Sequence, residues 1–576
     1  MTRWGELRQK EDSMYHRGAL ALKVLGIAGV VAMVASACGG AAAPTTAPQP
    51  TKPPSATATT ASATVTRVPS TPARTATAAP KRGGVIKLYY EYDPAKFDSA
   101  HYGIGRVEPA SPIFNNLIER DQHTNKVIPD LARTWEQSGD GLTYTFRLAK
   151  DVKWHDGVPF TSKDVLYSLN RLLPGAKLGY SSPLTDLLRP VKNVEALDDT
   201  TVKVTLSAPS ASFFYGLTSI FLNIIPEHQP IDELNKAPIG TGPFKFVKYE
   251  PAIKVTEAKN ADYWEKGYPY LDGLEWIIIK DRNQMIAALK SGQIDMTFGG
   301  STLAASNVAA LQKDKPEIVF EGFVSGRWLV TMQNRPPWND QRVRTAINLA
   351  LDRKEFVGLA LEGAGYPYGL FEIPQSAGGE WGLPESEIKK LPGFSDNKAA
   401  EIAQAKKMLE DAGYAAGSIN KEVIVRDQYV DGVSVVIAQL KRIGINLTTR
   451  VVDSATWNKD LPAGNFEVNI GSAFGFIDDP ASFIGQFFLS DSSRNYGKMP
   501  SPDVDALYKA QDAILDPQAR LQKNWELERL LHEKAYQPVA GWWKLYQGWY
   551  PYVKNYTAGS MYWSNRWGFK DIWLDK

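Results

Sequence analysis

One stretch decides how this chain can be organised. Residues 39–82 are almost entirely Ala, Thr, Pro and Ser up to Lys81. That composition cannot bury enough apolar area to offset its ordering entropy, so the stretch is expected to stay disordered. A coil of this length reaches about 35–40 Å, and further where proline stiffens it, so it reads as a tether. Everything able to form a large core lies after it, from Gly83 to Lys576, with no second low-complexity break. A body that long implies two or three domains.

Ahead of the tether, residues 24–34 are uniformly apolar and follow the basic Arg17 and Lys23. The run is too short to cross a hydrocarbon core of about 30 Å. With its basic flank and the small residues after it, the segment 1–38 reads as a secretory signal, starting at Met1 or Met14. It ends Val34-Ala35-Ser36-Ala37-Cys38-Gly39. Small residues before a lone cysteine resemble the lipobox of bacterial lipoproteins, although Ala35 stands where leucine is usual. That resemblance implies lipid attachment at Cys38 and anchoring at the outer face of the cytoplasmic membrane, which several acyl chains would make stable. Ordinary cleavage after Ala35-Ser36-Ala37, with Cys38 incidental, is the alternative.

Charge and cysteine content exclude other classes. With 65 basic and 63 acidic residues the net charge is +2, and no basic stripe for phosphate binding emerges, so no nucleic acid partner is expected. One cysteine allows neither an internal disulfide nor a thiolate cage. The six histidines are scattered, so neither a metal site nor a cofactor is expected. Aromatic residues make up 11 % of the chain, with 16 Trp and 25 Tyr, enough for both a core and a ligand-stacking surface.

Along the body, strand-like and helix-like segments alternate. Residues 85–90, 142–148 and 201–206 alternate as strands do. Thr161 and Asp164 form a capping box before Val165, Leu169 and Leu172. Asp340 is placed to cap a helix with Val343, Ile347, Ala350 and Leu351 inside. Ser395 or Asp396 is expected to open another, with Ile402, Ala405, Leu409 and Ala412 inside and Gly413 as its stop. Asp140-Gly141 reads as a hairpin turn. His155-Asp156-Gly157 reads as a second turn, with His155 in a packing role. Gly240-Thr241-Gly242-Pro243 lacks the spacing of a phosphate loop and reads as a rigid turn before a strand. The fold class is α/β with mixed sheets.

The run Ile128-Pro129-Asp130-Leu131-Ala132-Arg133-Thr134-Trp135-Glu136 continues through Asp140-Gly141 and Trp154-His155-Asp156-Gly157 to Asn170-Arg171. In that order and spacing it resembles the bacterial extracytoplasmic solute-binding proteins of family 5, the dipeptide, oligopeptide and nickel type of ABC transporters. Pro238-Ile239-Gly240-Thr241-Gly242-Pro243-Phe244, Asp262-Tyr263-Trp264, Leu351-Asp352-Arg353 and Leu440-Lys441-Arg442-Ile443-Gly444 follow in order. The resemblance covers the whole body. It implies a periplasmic-binding-protein-like fold, with two large lobes joined by a hinge and an inserted third subdomain. Lobe I would combine 83–113, 236–305 and 541–576, the insertion would be 114–235, and lobe III would be 306–540. The implied role is a monomeric solute-binding protein without enzymatic activity. It would deliver a peptide or oligosaccharide to ABC permease and ATPase subunits.

In the peptide binders of that family, an aspartate in a G-D-x-x-[DE]-P stretch pairs with the ligand's α-ammonium. The matching stretch here is Ala473-Phe474-Gly475-Phe476-Ile477-Asp478-Asp479-Pro480, and the aspartate position holds Phe476. A buried ammonium without a counter-charge costs several kcal/mol, so an uncharged, flat-faced solute such as an oligosaccharide suits this stretch better than a free peptide N-terminus. The expected ligand contacts are Phe474, Gly475, Phe476 and Asp478, with Trp328 and Trp542 (Trp543 beside it) as stacking residues. Asp479-Pro480 reads as a helix start. Two other classes compete. A secreted hydrolase would need a nucleophile motif, and G-x-S-x-G is absent, while adjacent Asp478 and Asp479 are poorly placed to flank one glycosidic bond. A ligand sensor on the same fold would differ only in its membrane partner.

Overall fold

The computed structural model describes residues 79–94, 96–100, 108–176, 182, 184–298, 303–475, 477–559 and 569–576. The signal segment, Cys38, almost all of the tether and Phe476 lie outside the described residues. Among the described residues no helix is long and apolar enough to cross a membrane.

Three larger sheets organise the body. The first is mixed and runs Val85–Tyr90, Gly273–Ile278, Lys254–Lys259, Phe244–Glu250, with the first pair parallel and the others antiparallel. The second is antiparallel throughout, in the order Ala132–Gln137, Thr143–Leu148, Thr201–Leu206, Val191–Asp198. The third has six strands, in the order Gly365–Tyr366, Val539–Trp549, Val319–Met332, Val468–Ala473, Ile419–Arg426, Ile445–Val452. Its last three strands are mutually parallel, and its longest strand is antiparallel to both neighbours.

Burial divides the body more simply. The two four-stranded sheets share one continuous core, which contains Leu88 and Trp276 of the first and Phe146 and Val202 of the second. The six-stranded sheet has its own core, built on Val330, Val423, Ile470 and Trp542 with helix residues Val343, Ile347 and Phe356. Two long strands link the cores. Val319–Met332 and Val539–Trp549 pair from Val319↔Trp549 to Leu329↔Val539, and the register slips between Val324 and Gly326. Phe323, Leu545 and Trp549 belong to the first core, whereas Val324, Trp328 and Trp542 belong to the second. The change of core therefore falls inside a paired ribbon.

Local chemistry explains most element ends. Thr161 accepts from Lys163 N while Asp164 accepts from Thr161 N, the reciprocal capping box. Asp340 caps Gln341–Ala350, and Gly141 takes φ +70° between its two strands. One expected cap is corrected. Helix Lys398–Asp411 is capped by Asn397, which accepts from Ala400 N. Ser395 instead accepts from Asn397 N, and Asp396 pairs with Lys354 at 2.6 Å. The turn at 240–243 precedes strand Phe244–Glu250 and is a close backbone approach: a Cβ on Gly240 would sit 1.8 Å from Ile113 O. His155 locks that turn, with Nδ1 accepting from Gly240 N and Nε2 facing Gly242 O at 3.0 Å. Burial pushes the imidazole down to about 4, so it is neutral near pH 7 and serves packing.

Candidate functional site

Two strands lay the floor of a cavity of about 380 Å3. Across the ladder of Val319–Met332 and Val468–Ala473, Leu329 faces Gly471 and Thr331 faces Asn469. Strand alternation puts these four on one face, and all four line the cavity. A Cβ on Gly471 would meet the Tyr429 ring at 3.4 Å, so the glycine lets that tyrosine lie close on the sheet.

Helix Ser454–Ala463 supplies a second wall. Asp453 caps it by accepting from Thr456 N at 2.8 Å. Ser454, Trp457, Asn458 and Leu461 share its cavity-facing side, as helical spacing requires. Trp457 Nε1 donates to Asn469 Oδ1 at 3.0 Å, pinning the indole against the floor. Opposite stand Tyr92 and Phe221, which pack with the other core, and Asp93, which accepts from the Tyr249 hydroxyl. The cavity is thus closed by residues of both cores.

Its charges are few. Arg426 ends the strand Ile419–Arg426, where Nε donates to Ser454 Oγ at 2.6 Å and the guanidinium lies 5.8 Å from the Tyr429 ring centroid. Arg494 donates to Phe474 O and Gln486 Oε1, both at 3.3 Å, and lies over the Phe487 ring at 4.8 Å. Asp93 is the single lining carboxylate among the described residues. Burial pushes its carboxyl up, but hydrogen bonds from the Tyr249 hydroxyl and Ala252 N hold it below the usual range. Among the described residues no group of three or more His, Cys, Asp or Glu is arranged to hold a metal ion.

Of the contacts expected from sequence, Phe474 lies on the cavity. Gly475 is buried behind it, and a Cβ there would come within 2.6 Å of the Phe483 ring. Asp478 is buried away from the cavity. Its Oδ2 accepts from Glu380 N, and its backbone oxygen accepts from Trp381 Nε1 at 3.1 Å. Asp479 accepts from Ala481 N, as a helix start would, and also makes a buried ion pair with Arg520 that the sequence reading did not anticipate. The stacking assigned to Trp328 and Trp542 is corrected. Trp328 sits in the second core between Phe356, Tyr429 and Trp543, at centroid distances of 5.1–6.0 Å. Trp542 is fully buried and donates to Leu370 O at 3.1 Å. Trp542 pairs with Arg327 across the ladder and packs on Phe483, so the two indoles lie on opposite faces of the sheet and both are held by packing.

Sequence reasoning missed Arg426, Tyr429, Trp457, Asn469 and Arg494. None belongs to a motif that stands out. The one available signal is Arg426, a charge that ends the apolar run Val423-Ile424-Val425 and so marks where a buried strand meets an opening.

Comparison with known proteins agrees with this architecture. A model of the family described as bacterial extracellular solute-binding proteins, family 5 middle, matches residues 126–495. A candidate ABC transporter peptide-binding protein of Brucella ovis is 32% identical over 362 residues, covering 60% of this chain and 64% of the relative, less than two thirds of its length. Di/tripeptide-binding protein 2 of Pseudomonas aeruginosa is 28% identical over 478 residues, 77% of this chain and 87% of that protein. The ABC transporter-associated periplasmic binding protein DppA of Helicobacter pylori, solved with the peptide STSA, matches with a TM-score of 0.72 at 25% identity. That match covers 86% of this chain and 99% of the solved one.

Proposed function

Because this chain belongs to family 5 of the bacterial extracellular solute-binding proteins, we propose that it captures a small organic solute of the peptide or oligosaccharide class in the cavity beside Arg426 and Phe474, and hands it to the permease of an ATP-driven importer. The observation that carries the reading is the cavity's composition from two cores: Tyr92, Asp93 and Phe221 on one side, the Val468–Ala473 strand and Trp457 on the other. A solute touching both sides stabilises the closed arrangement through its differential affinity for it. The volume falls within the range of small-molecule sites, and the names of the Brucella, Pseudomonas and Helicobacter proteins support peptides as one ligand class.

In this reading, lobe I (83–113, 236–305, 541–576) and the insertion (114–235) move as one against lobe III (306–540), because the first two share a core. The linking ribbon of Val319–Met332 and Val539–Trp549 serves as the hinge. The protein works as a monomer outside the cytoplasm, with lipid on Cys38 and residues 39–82 as its tether, and the solute leaves unchanged.

The test is equilibrium binding of a solute panel to the purified protein, followed by mass spectrometry of the recovered solute. Saturable one-to-one binding with the solute intact is expected. A chemically altered solute would refute binding without turnover.

A further inference from the structure

We propose that the captured solute is an organic anion whose carboxylate is received by Arg426, and that a free ammonium on the solute is not required. The inference rests on the solute-binding reading above and names the solute's charge.

Arg426 is half-buried in the cavity wall with one of its five donors engaged, the Nε bond to Ser454. Among the described residues its two Nη groups meet no hydrogen-bond partner and no carboxylate. Three other arginines of the same body are spent on acids. Arg442 grips Glu355 with both Nη atoms at 2.8 and 2.6 Å. Arg450 reaches Glu422 and Asp460, and Arg520 reaches Asp479. A planar guanidinium with its outer edge open presents the fork that a carboxylate's two oxygens fit. Its orientation is held from behind by Ser454 and by the Tyr429 face.

The rest of the lining has the same bias. Arg494 adds a second guanidinium and Asp93 a single carboxylate, so the wall carries one net positive charge. The acids nearest along the chain to Phe474 are turned elsewhere, Asp479 to Arg520 and Asp478 to the backbone of Glu380. No carboxylate lines the cavity on the side of the six-stranded sheet among the described residues. An ammonium placed there would be desolvated without a counter-charge, whereas a carboxylate would find one waiting. The Trp457, Tyr429 and Phe474 rings offer apolar faces to the solute's body. A peptide C-terminus, an N-acylated amino acid and a sugar acid share this chemistry.

The test titrates the full-length protein with five probes: alanyl-phenylalanine, its N-acetyl derivative, its C-terminal amide, a uronic-acid disaccharide and neutral cellobiose. The two peptide acids are expected to bind within about threefold of each other and at least tenfold more tightly than the amide. Binding by the uronic-acid disaccharide with the peptides silent also supports the anion and assigns it to the sugar acids. Arg426→Gln should cost the acids at least tenfold, leave the amide unchanged and keep the melting temperature. Arg426→Lys should recover part of the loss. Amide binding equal to the acids, a loss above tenfold on N-acetylation, or binding by cellobiose alone overturns the inference and leaves the solute-binding reading standing. Silence from all five probes also counts against the inference, and the wider solute panel then judges the binding reading separately.

Discussion

Arg520 and Asp479 meet as a doubly hydrogen-bonded ion pair, at 2.7 and 3.1 Å, with both side chains essentially sealed from solvent. Ser212, from the helix Ala211–Gly216 beside the antiparallel sheet, donates its hydroxyl to Asp479 Oδ1 at 2.7 Å, and Asp512 accepts from Ser210 Oγ and Ser212 N. The pair thus sits where the two cores touch, between the segment that follows Phe474 and the helix Pro517–Lys534.

Removing one partner strands the other charge in a dry site. Arg520→Met is expected to destabilise the body by about 3–5 kcal/mol, read as a lowered urea midpoint. Adding Asp479→Leu should return part of the loss, since the orphaned carboxylate is gone. A single variant within about 1 kcal/mol of the natural protein would mean that the pair is solvated and structurally idle.

Trp328 offers a contrast between packing and binding. Its ring is buried against Phe356 and Tyr429, so Trp328→Ala should cost about 3–5 kcal/mol of stability through the cavity it leaves. Trp457→Ala, on a half-exposed helix face, should keep the melting temperature and weaken solute binding. If the two variants exchange these phenotypes, the assignment of cavity wall and core is reversed.

Gly475 tests the backbone beside the cavity. Its missing Cβ leaves room for the Phe483 ring and Ser482 Oγ, both within 2.8 Å of where that atom would stand. Gly475→Ala is expected to destabilise by about 1–3 kcal/mol from overpacking. Circular dichroism melts that coincide with the natural protein's would show that the loop has slack the packing does not suggest.

Asp478 predicts a pH dependence. Burial pushes its carboxyl up to about 7; Arg120 pulls it down, while Glu380 and Asp479 push it further up. The unfolded chain releases this proton near the ordinary aspartate value of about 4. Between those two values the folded state holds a proton that the unfolded state has lost, so this group's contribution to stability is full below about pH 4 and lost as pH rises to about 7. Asp478→Asn should remove that part of the slope. The measurement is the difference in unfolding free energy between natural protein and variant at pH 4.5 and 7.5. Comparing the two proteins cancels Glu528, raised by burial to about 6, and the oppositely acting His155 and His532, both lowered by burial to about 4. Equal slopes in the two proteins would place Asp478 in contact with water.

Local rules made much of the fold legible in the residues alone. The Thr161–Asp164 capping box, the Asp140-Gly141 hairpin and the turn at 240–243 involve neighbours in sequence, so short-range sterics and hydrogen bonding decide them. The family pattern was legible for the same reason, since it is carried by continuous segments. The cap at Asn397 escaped because Ser395, Asp396 and Asn397 are all competent caps, and a distant lysine, Lys354, drew one of them away.

Cavity and core were decided by tertiary structure. Trp328 and Leu329 are adjacent in one strand, and alternation sends them to opposite faces. Helices cover the face that Trp328 enters, while the face of Leu329 opens on the cavity. A strand buried on both sides carries no polar alternation to say which face is which, so the sequence pointed to the tryptophan where the structure uses its neighbour. Arg426 makes the same point from the other side. Its place at the end of an apolar run hints at an opening, but only the fold decides what meets the guanidinium: Ser454 takes Nε, and among the described residues no acid reaches the Nη atoms.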